Sequence, residues 1–122
     1  MDYKEVKTFE IRIYVGLREE YSEVYHDFKE VEEICQKYCD DNGFCVSVTK
    51  TKFIYTEGNE PGVIVGIINY PRFPSTPKKL TQHSITLGTL LLEKLGQIRV
   101  SISTTNNTIM LTSERKEDGQ KR

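Results

Sequence analysis

Hydrophobic and polar residues alternate strictly from Phe9 through Ile11, Ile13 and Val15 to Leu17. Successive strand side chains point to opposite faces, so these five share one buried face. Arg12 and Tyr14 then fall on the second, more polar face. Residues 18–25 read as a polar connector. From Asp27 the period changes. Asp27 and Glu30 form a capping pair, and Phe28, Val31, Ile34, Cys35 and Tyr38 recur at helical spacing. Asn42-Gly43 ends that helix, because glycine takes the left-handed conformation without steric cost.

Phe44, Val46 and Val48 open a second strand. Beyond them the parity switches to Phe53 and Tyr55, which predicts a bulge or bend near Thr49–Thr51. Residues 56–61 read as a turn. Val63–Ile68 is apolar on both faces, as expected of a central strand covered on both sides. Tyr70-Pro-Arg-Phe-Pro74 breaks it. Ser75 or Thr76 caps a second helix with Pro77 in its first turn. Leu80, Leu87, Leu91 and Leu95 form its stripe, widened by Ile85, Leu90 and Leu92. Gly88 marks close packing on the sheet, and Gly96 is the stop. Ile98, Val100 and Ile102 form a half-buried strand, residues 105–108 a hairpin turn, and Ile109–Leu111 a last short strand.

The order is β-α-β-β-α-β-β. With right-handed crossovers both helices fall on one side of the sheet. This predicts an α+β, two-layer, ferredoxin-like sandwich with a largely antiparallel sheet and an added C-terminal strand. Residues 1–113 are expected to be one domain and residues 114–122 a charged, disordered tail. One helix layer leaves a sheet face open, and a homo-oligomer, dimer or higher, is the simplest cover.

Composition narrows the function. In 122 residues, 17 basic and 18 acidic side chains give a net charge of −1, against the basic excess of a polymer-binding surface. No nucleic-acid polymer is therefore expected as a partner. No apolar run reaches the length of a membrane span, and the first residues lack a signal-peptide core. Three cysteines, an odd count, point to a reducing cytoplasm rather than a disulfide framework. Cys35, Cys39 and Cys45 contain no CxxC, and His26 and His83 stand in no fixed relation to them, so neither a metal site nor a cofactor is expected. Gly58, Gly62 and Gly66 lack the Lys and the helix start of a phosphate loop. No catalytic set stands out.

Binding chemistry is more visible. Arg72 and Phe73, between the central strand and the second helix, offer a fork for phosphate and a ring for a base. Arg12, Tyr14 and Arg99 share the polar sheet face by parity. Arg18 and Arg115 complete a wider set of possible phosphate partners.

Four segments carry a resemblance: Phe9–Leu17 (FEIRIYVGL), Asn42–Val48 (NGFCVSV), Glu60–Ile68 (EPGVIVGII) and Gly96–Val100 (GQIRV). Their layout resembles small α/β proteins of bacteriophages and prophages, in particular the Thoeris anti-defence sponges. The resemblance implies a non-enzymatic, oligomeric binder that sequesters a cyclic ADP-ribose-type nucleotide signal in the host cytosol. Arg72, Phe73, Arg115, Arg12, Arg99 and Tyr14 are the candidate ligand residues. The alternative is a protein-interaction module that docks on a host protein.

Overall fold

The computed structural model describes residues 1–114. Its elements are β1 (Glu10–Gly16), α1 (Phe28–Asn42), β2 (Ser47–Tyr55), β3 (Gly58–Ile68), α2 (Pro77–Lys94), β4 (Arg99–Thr104) and β5 (Thr108–Thr112). The sheet order is β2-β3-β1-β4-β5, with every neighbouring pair antiparallel. Each helix connects two strands with a third strand between them. This is the ferredoxin-like α+β sandwich that the chain pattern predicts, with β5 added beside β4.

The core forms where the alternating strand faces meet the helical stripes. Ile11, Ile13 and Val15 of β1, Val63, Val65 and Ile67 of β3, and Val100 and Ile102 of β4 are buried. Val31 and Cys35 of α1 and Leu80, Leu87 and Leu91 of α2 cover them. Fully burying one such aliphatic side chain contributes about 1.5–3 kcal/mol. Gly88 permits the closest approach: a Cβ there would stand 3.0 Å from Leu111 and 3.2 Å from Ile102. Ile85 departs from the expected stripe and is exposed, because Ser84 and Gly88 occupy the sheet-facing line instead.

The caps follow the sequence. Asp27 accepts from the Glu30 amide at 3.0 Å, and Glu30 returns a bond to the Asp27 amide at 3.0 Å. Gly43, at φ 60°, closes α1. Thr76 accepts from the Lys79 amide at 3.1 Å, and Pro77 opens α2. Each N-terminal cap satisfies an otherwise orphaned helix amide, worth about 1 kcal/mol, while the Gly43 amide donates to the Cys39 carbonyl.

The second strand differs from expectation in three ways. It starts at Ser47 rather than Phe44. It has no bulge: its register against β3 runs unbroken from Ser47–Gly66 to Tyr55–Gly58. The parity switch arises because the β2–β3 hairpin outruns the helix layer. Val48 faces the helices, while Phe53 and Tyr55 fall on the opposite face. Lys50, on the helix side, covers the Phe28 ring at 5.2 Å. The turn is also shorter than expected. Only Thr56 and Glu57 lie between the paired residues, with Glu57 left-handed at φ 61°. Pro61 therefore lies inside β3. It cannot donate to Leu17, so the Leu17 carbonyl accepts from the His26 amide at 2.8 Å, while Leu17 donates to the Pro61 carbonyl at 3.1 Å.

That exchange folds residues 17–27 back on themselves, with a bridge between Arg18 and Tyr25. The connector is thus a built loop rather than a loose polar one. His26 locks it. Its Nδ1 lies 2.8 Å from Glu30 and its Nε2 3.1 Å from Glu19, with the side chain only 16% exposed. Burial pulls the imidazole pKa down, but hydrogen bonds to Glu30 and Glu19 and their charges outweigh it, so His26 stays protonated above its ordinary 6.5. The bond from His26, helped by the Asp27 amide, holds Glu30 below its ordinary 4.5.

Two predictions follow from this packing. The stability His26 contributes is complete below pH 6.5 and is lost as pH rises through its raised folded value; that of Glu30 is complete above 4.5 and is lost as pH falls through its lowered value. His26→Gln should lower the urea midpoint more at about pH 5.5 than at about pH 9. An equal loss at both would show that the ion pairs contribute nothing. Burial, with Cys39 nearby, pushes the Cys35 thiol up to about 12. In the native protein at neutral pH, a thiol reagent should leave Cys35 unlabelled and react with it only on unfolding.

Candidate functional site

The sheet face away from the helices has no cover among the described residues. Across its middle run Thr49, Ile64, Tyr14, Ser101 and Met110, one from each strand in paired register. The next row holds Ser47, Gly66, Arg12, Ser103 and Thr108. Tyr14 and Ile64 are half-buried, and Arg12 is exposed. Met110 is 60% exposed and Ile68 41%. The face therefore mixes an aromatic ring, a guanidinium, hydroxyls and apolar patches, the mixture that a polar ligand with an apolar body requires.

One end of this face is more elaborate. Gly16 of β1 pairs with Gly62 of β3, so two neighbouring positions lack side chains. The Phe53 ring lies over Gly62, where any Cβ would run into it. Above Gly16 no ring intervenes. A Cβ built on Gly16 would stand 2.8 Å from Oε2 of Glu60 and 2.8 Å from Oε1 of Gln97. Gln97 is buried, and its Nε2 donates to the Arg18 carbonyl at 2.8 Å and to the Leu95 carbonyl at 3.0 Å. Its amide is thereby oriented with the oxygen toward Gly16.

The sequence-derived candidates divide into two groups. Arg12, Tyr14 and Arg99 lie on the open face, as strand parity requires. Arg72 and Phe73 lie beyond the other end of β3, past Ile68. That end is six residues along the strand from Gly62, about 20 Å at 3.3 Å per residue. Arg72 is exposed, and Phe73 is half exposed with its ring 5.4 Å from Tyr70. Asn69 ties this segment down by accepting from the Ser75 amide and donating to the Lys7 carbonyl, both at 2.8 Å. Phe73 lines a recess of about 190 Å³ with Phe44, Cys45, Tyr70 and His83, below the roughly 300 Å³ from which small-molecule sites begin. Arg115 lies outside the described residues. Arg18 donates to the Ser22 and Tyr21 carbonyls, which occupies it within its own loop.

Phe53, Glu60 and Gln97 were not singled out by sequence. The parity switch at Phe53 is visible in the chain but reads equally as a bulge. Glu60 shares the parity of Gly62 and Ile64, yet it stands before a proline and reads as turn. Gln97 carries no sequence signal, since its role depends on the end of α2 meeting β1.

Two other features carry less chemistry. A recess of about 710 Å³ lies between α1 and α2, with Ile34, Tyr38 and Leu90 among its lining residues. The Tyr38 hydroxyl there is tied to His83 Nδ1 at 2.6 Å. Cys39 and Cys45 are half-buried, and burial raises the Cys39 thiol pKa, opposite to what a nucleophile needs.

No protein-family model matches the chain, and no curated protein matches it. Solved structures do. A phage SAM lyase in complex with S-methyl-5'-thioadenosine superposes with a TM-score of 0.79 at 20% identity, over 93% of this chain and 96% of that one. A phage SAM lyase in the apo state gives 0.76 at 21% identity, over 87% and 90%. At this identity the likeness is one of fold, and the fold is that of small phage α/β proteins. It corrects three expectations. The resemblance to Thoeris sponges gives way, because these structural neighbours are not signal sponges. Sequestration of a cyclic ADP-ribose-type signal gives way with it. The reading as a non-enzyme is overturned because the neighbours that share the fold are lyases. The reason for the error is that the fold emerges only once the strands are ordered, whereas the absence of a paired acid, base or nucleophile in the chain pattern is not evidence against an enzyme. No helix among the described residues is long and apolar enough to cross a membrane.

Proposed function

We propose that this chain is a SAM lyase that works on the open sheet face and releases S-methyl-5'-thioadenosine. The supporting observation is a shared fold over almost the full length of both chains, one of them a SAM lyase holding that nucleoside. The chemistry of the face agrees. S-methyl-5'-thioadenosine is S-adenosylmethionine without its four-carbon amino-acid arm. The bond broken is therefore the one between sulfur and Cγ.

A lyase adds no water, and the substrate carries its own nucleophile. One carboxylate oxygen of the methionyl arm bonds to Cγ, the Cγ–S bond breaks, and its electron pair returns to sulfur. The products are the neutral thioether and a five-membered amino-lactone. No proton moves and no oxidant or metal is consumed. The protein's task is then to hold the arm curled in a near-attack geometry and to keep water out. Arg12 orients the carboxylate. Tyr14 and Phe53 supply rings for the adenine and for the cationic sulfur. Ser101 and Ser103 offer hydroxyls to the ribose.

Water exclusion needs a cover, and in this reading a second copy of the chain supplies it. Ile64, Ile68 and Met110 give the face an apolar component that suits a subunit contact. The compartment is the host cytosol, where the substrate is made; all three thiols are free.

Purified protein mixed with SAM should accumulate S-methyl-5'-thioadenosine and the amino-lactone in equal amounts, read by liquid chromatography and mass spectrometry. Tyr14→Ala and Arg12→Ala should each lower kcat/KM by about 10- to 100-fold, while Arg72→Ala should leave it unchanged. Absence of the thioether product would overturn the reading. Ile64→Arg should reduce the mass in solution to one chain and abolish turnover together. A fully active Ile64→Arg monomer would sink the shared cover.

A further inference from the structure

We infer that the connector between β1 and α1 is a proton-operated latch: the His26 imidazolium ties Glu19 to Glu30, and loss of its proton frees Glu19, with residues 18–25, while Glu30 stays bound. The latch does not depend on the lyase reading. Two charged groups face the ring: Glu30 of α1, 2.8 Å from Nδ1, and Glu19 of the connector, 3.1 Å from Nε2. A carboxylate only accepts hydrogen bonds. The imidazolium donates from both nitrogens and so satisfies both partners. The neutral ring carries one N–H. Whichever tautomer forms, its other nitrogen turns a lone pair toward a carboxylate, and one of the two contacts has to open.

The two carboxylates are not held alike. Glu30 belongs to the capping box: its Oε1 accepts from the Asp27 amide at 3.0 Å, and its own amide donates to Asp27 at 3.0 Å. The first turn of α1 also favours its charge. Glu19 has no such second hold. Among the described residues its carboxylate has no hydrogen bond except the one from His26, and its methylenes only rest against Gly96. Its neighbour Glu20 is left-handed at φ 48°, a conformation that costs an ordinary side chain free energy. The neutral ring therefore keeps its proton on Nδ1 for Glu30, and Glu19 departs. The inner bonds of the connector then lose their anchor: the Glu19 amide to the Val24 carbonyl at 2.8 Å, and the Ser22 amide to the Glu19 carbonyl at 3.0 Å. The base of the connector stays tied, because Leu17 donates to Pro61 and accepts from the His26 amide. Release comes above pH 6.5. Burial lowers the His26 pKa, but the bonds to Glu30 and Glu19 and their charges raise it further than that.

The test is amide hydrogen exchange of the native protein, followed by NMR at about pH 6 and about pH 9 and corrected for the intrinsic pH dependence of exchange. The nitrogen shifts of the His26 ring report its tautomer in the same samples. From the lower pH to the higher, protection of the Glu19 and Ser22 amides should fall by about tenfold or more, the scale of one charge-assisted bond. Protection of the Glu30 amide should not change, and the neutral ring should carry its proton on Nδ1. Glu19→Gln presents either a donor or an acceptor to Nε2, so its connector should be equally protected at both pH values. Native protection at Glu19 and Ser22 that does not move with pH would overturn the latch. A neutral ring protonated on Nε2 would overturn its direction, because Glu30 would then be the partner released. A Glu19→Gln connector that loosens with pH as the native one does would show that another group drives the opening, and would overturn the latch as well. The first two readouts come from the native protein and stand whether or not the variant folds.

Discussion

Two helices cover one face of a five-stranded sheet, and everything distinctive about this protein follows from the face they leave. The helices are fixed by their caps and stripes, and both stripes meet the same side of the strands. The side chains of β1, β3 and β4 on that side are almost wholly buried. Strand alternation then sends Arg12, Tyr14, Gly16, Ile64 and Ser101 to the other side with no freedom to choose. The core thus positions the site at one remove: a one-residue slip of β1 would exchange Ile13 for Tyr14 and destroy both together.

The fold was legible because each signal it needs is local. Alternation at residues 9–17, the Asp27–Glu30 box, and the Pro77 start all lie within a few residues of one another. The site was legible only in part. Arg12, Tyr14 and Arg99 were readable because parity alone assigns their face. Glu60, Gly16 and Gln97 come from β3, β1 and the end of α2, and they meet only after the sheet is ordered. The proline at position 61 misled in a specific way. It was read as part of a turn, whereas it lies inside β3 at the mouth of the β1–β3 pair. The one backbone bond it cannot make there is supplied by His26.

The connector from Leu17 to Asp27 joins these two levels. Its fold depends on Leu17, Pro61 and His26, and its Arg18 carbonyl is one of the two groups that orient Gln97. The Glu19 side chain, which pairs with His26, also packs against the left-handed Gly96 just before Gln97. The His26 ion pairs therefore lie in the same hydrogen-bonded run as the acceptor oxygen at Gly16. The run connects α1, the connector, the end of α2 and the first strand.

The lyase reading proposed for this chain asks for no acid–base machinery. When the nucleophile and the leaving group belong to one molecule, a general base gives no advantage, and the barrier falls through geometry and electrostatics alone. Residues that hold shape then matter most: the close-packed Gly16, the buried Gln97 amide tied to two carbonyls, and the Phe53 ring seated on Gly62. Such residues look structural when read one at a time. They meet only in the folded chain: the Glu60 carboxylate and the Gln97 amide oxygen close over Gly16, each 2.8 Å from where a Cβ would stand.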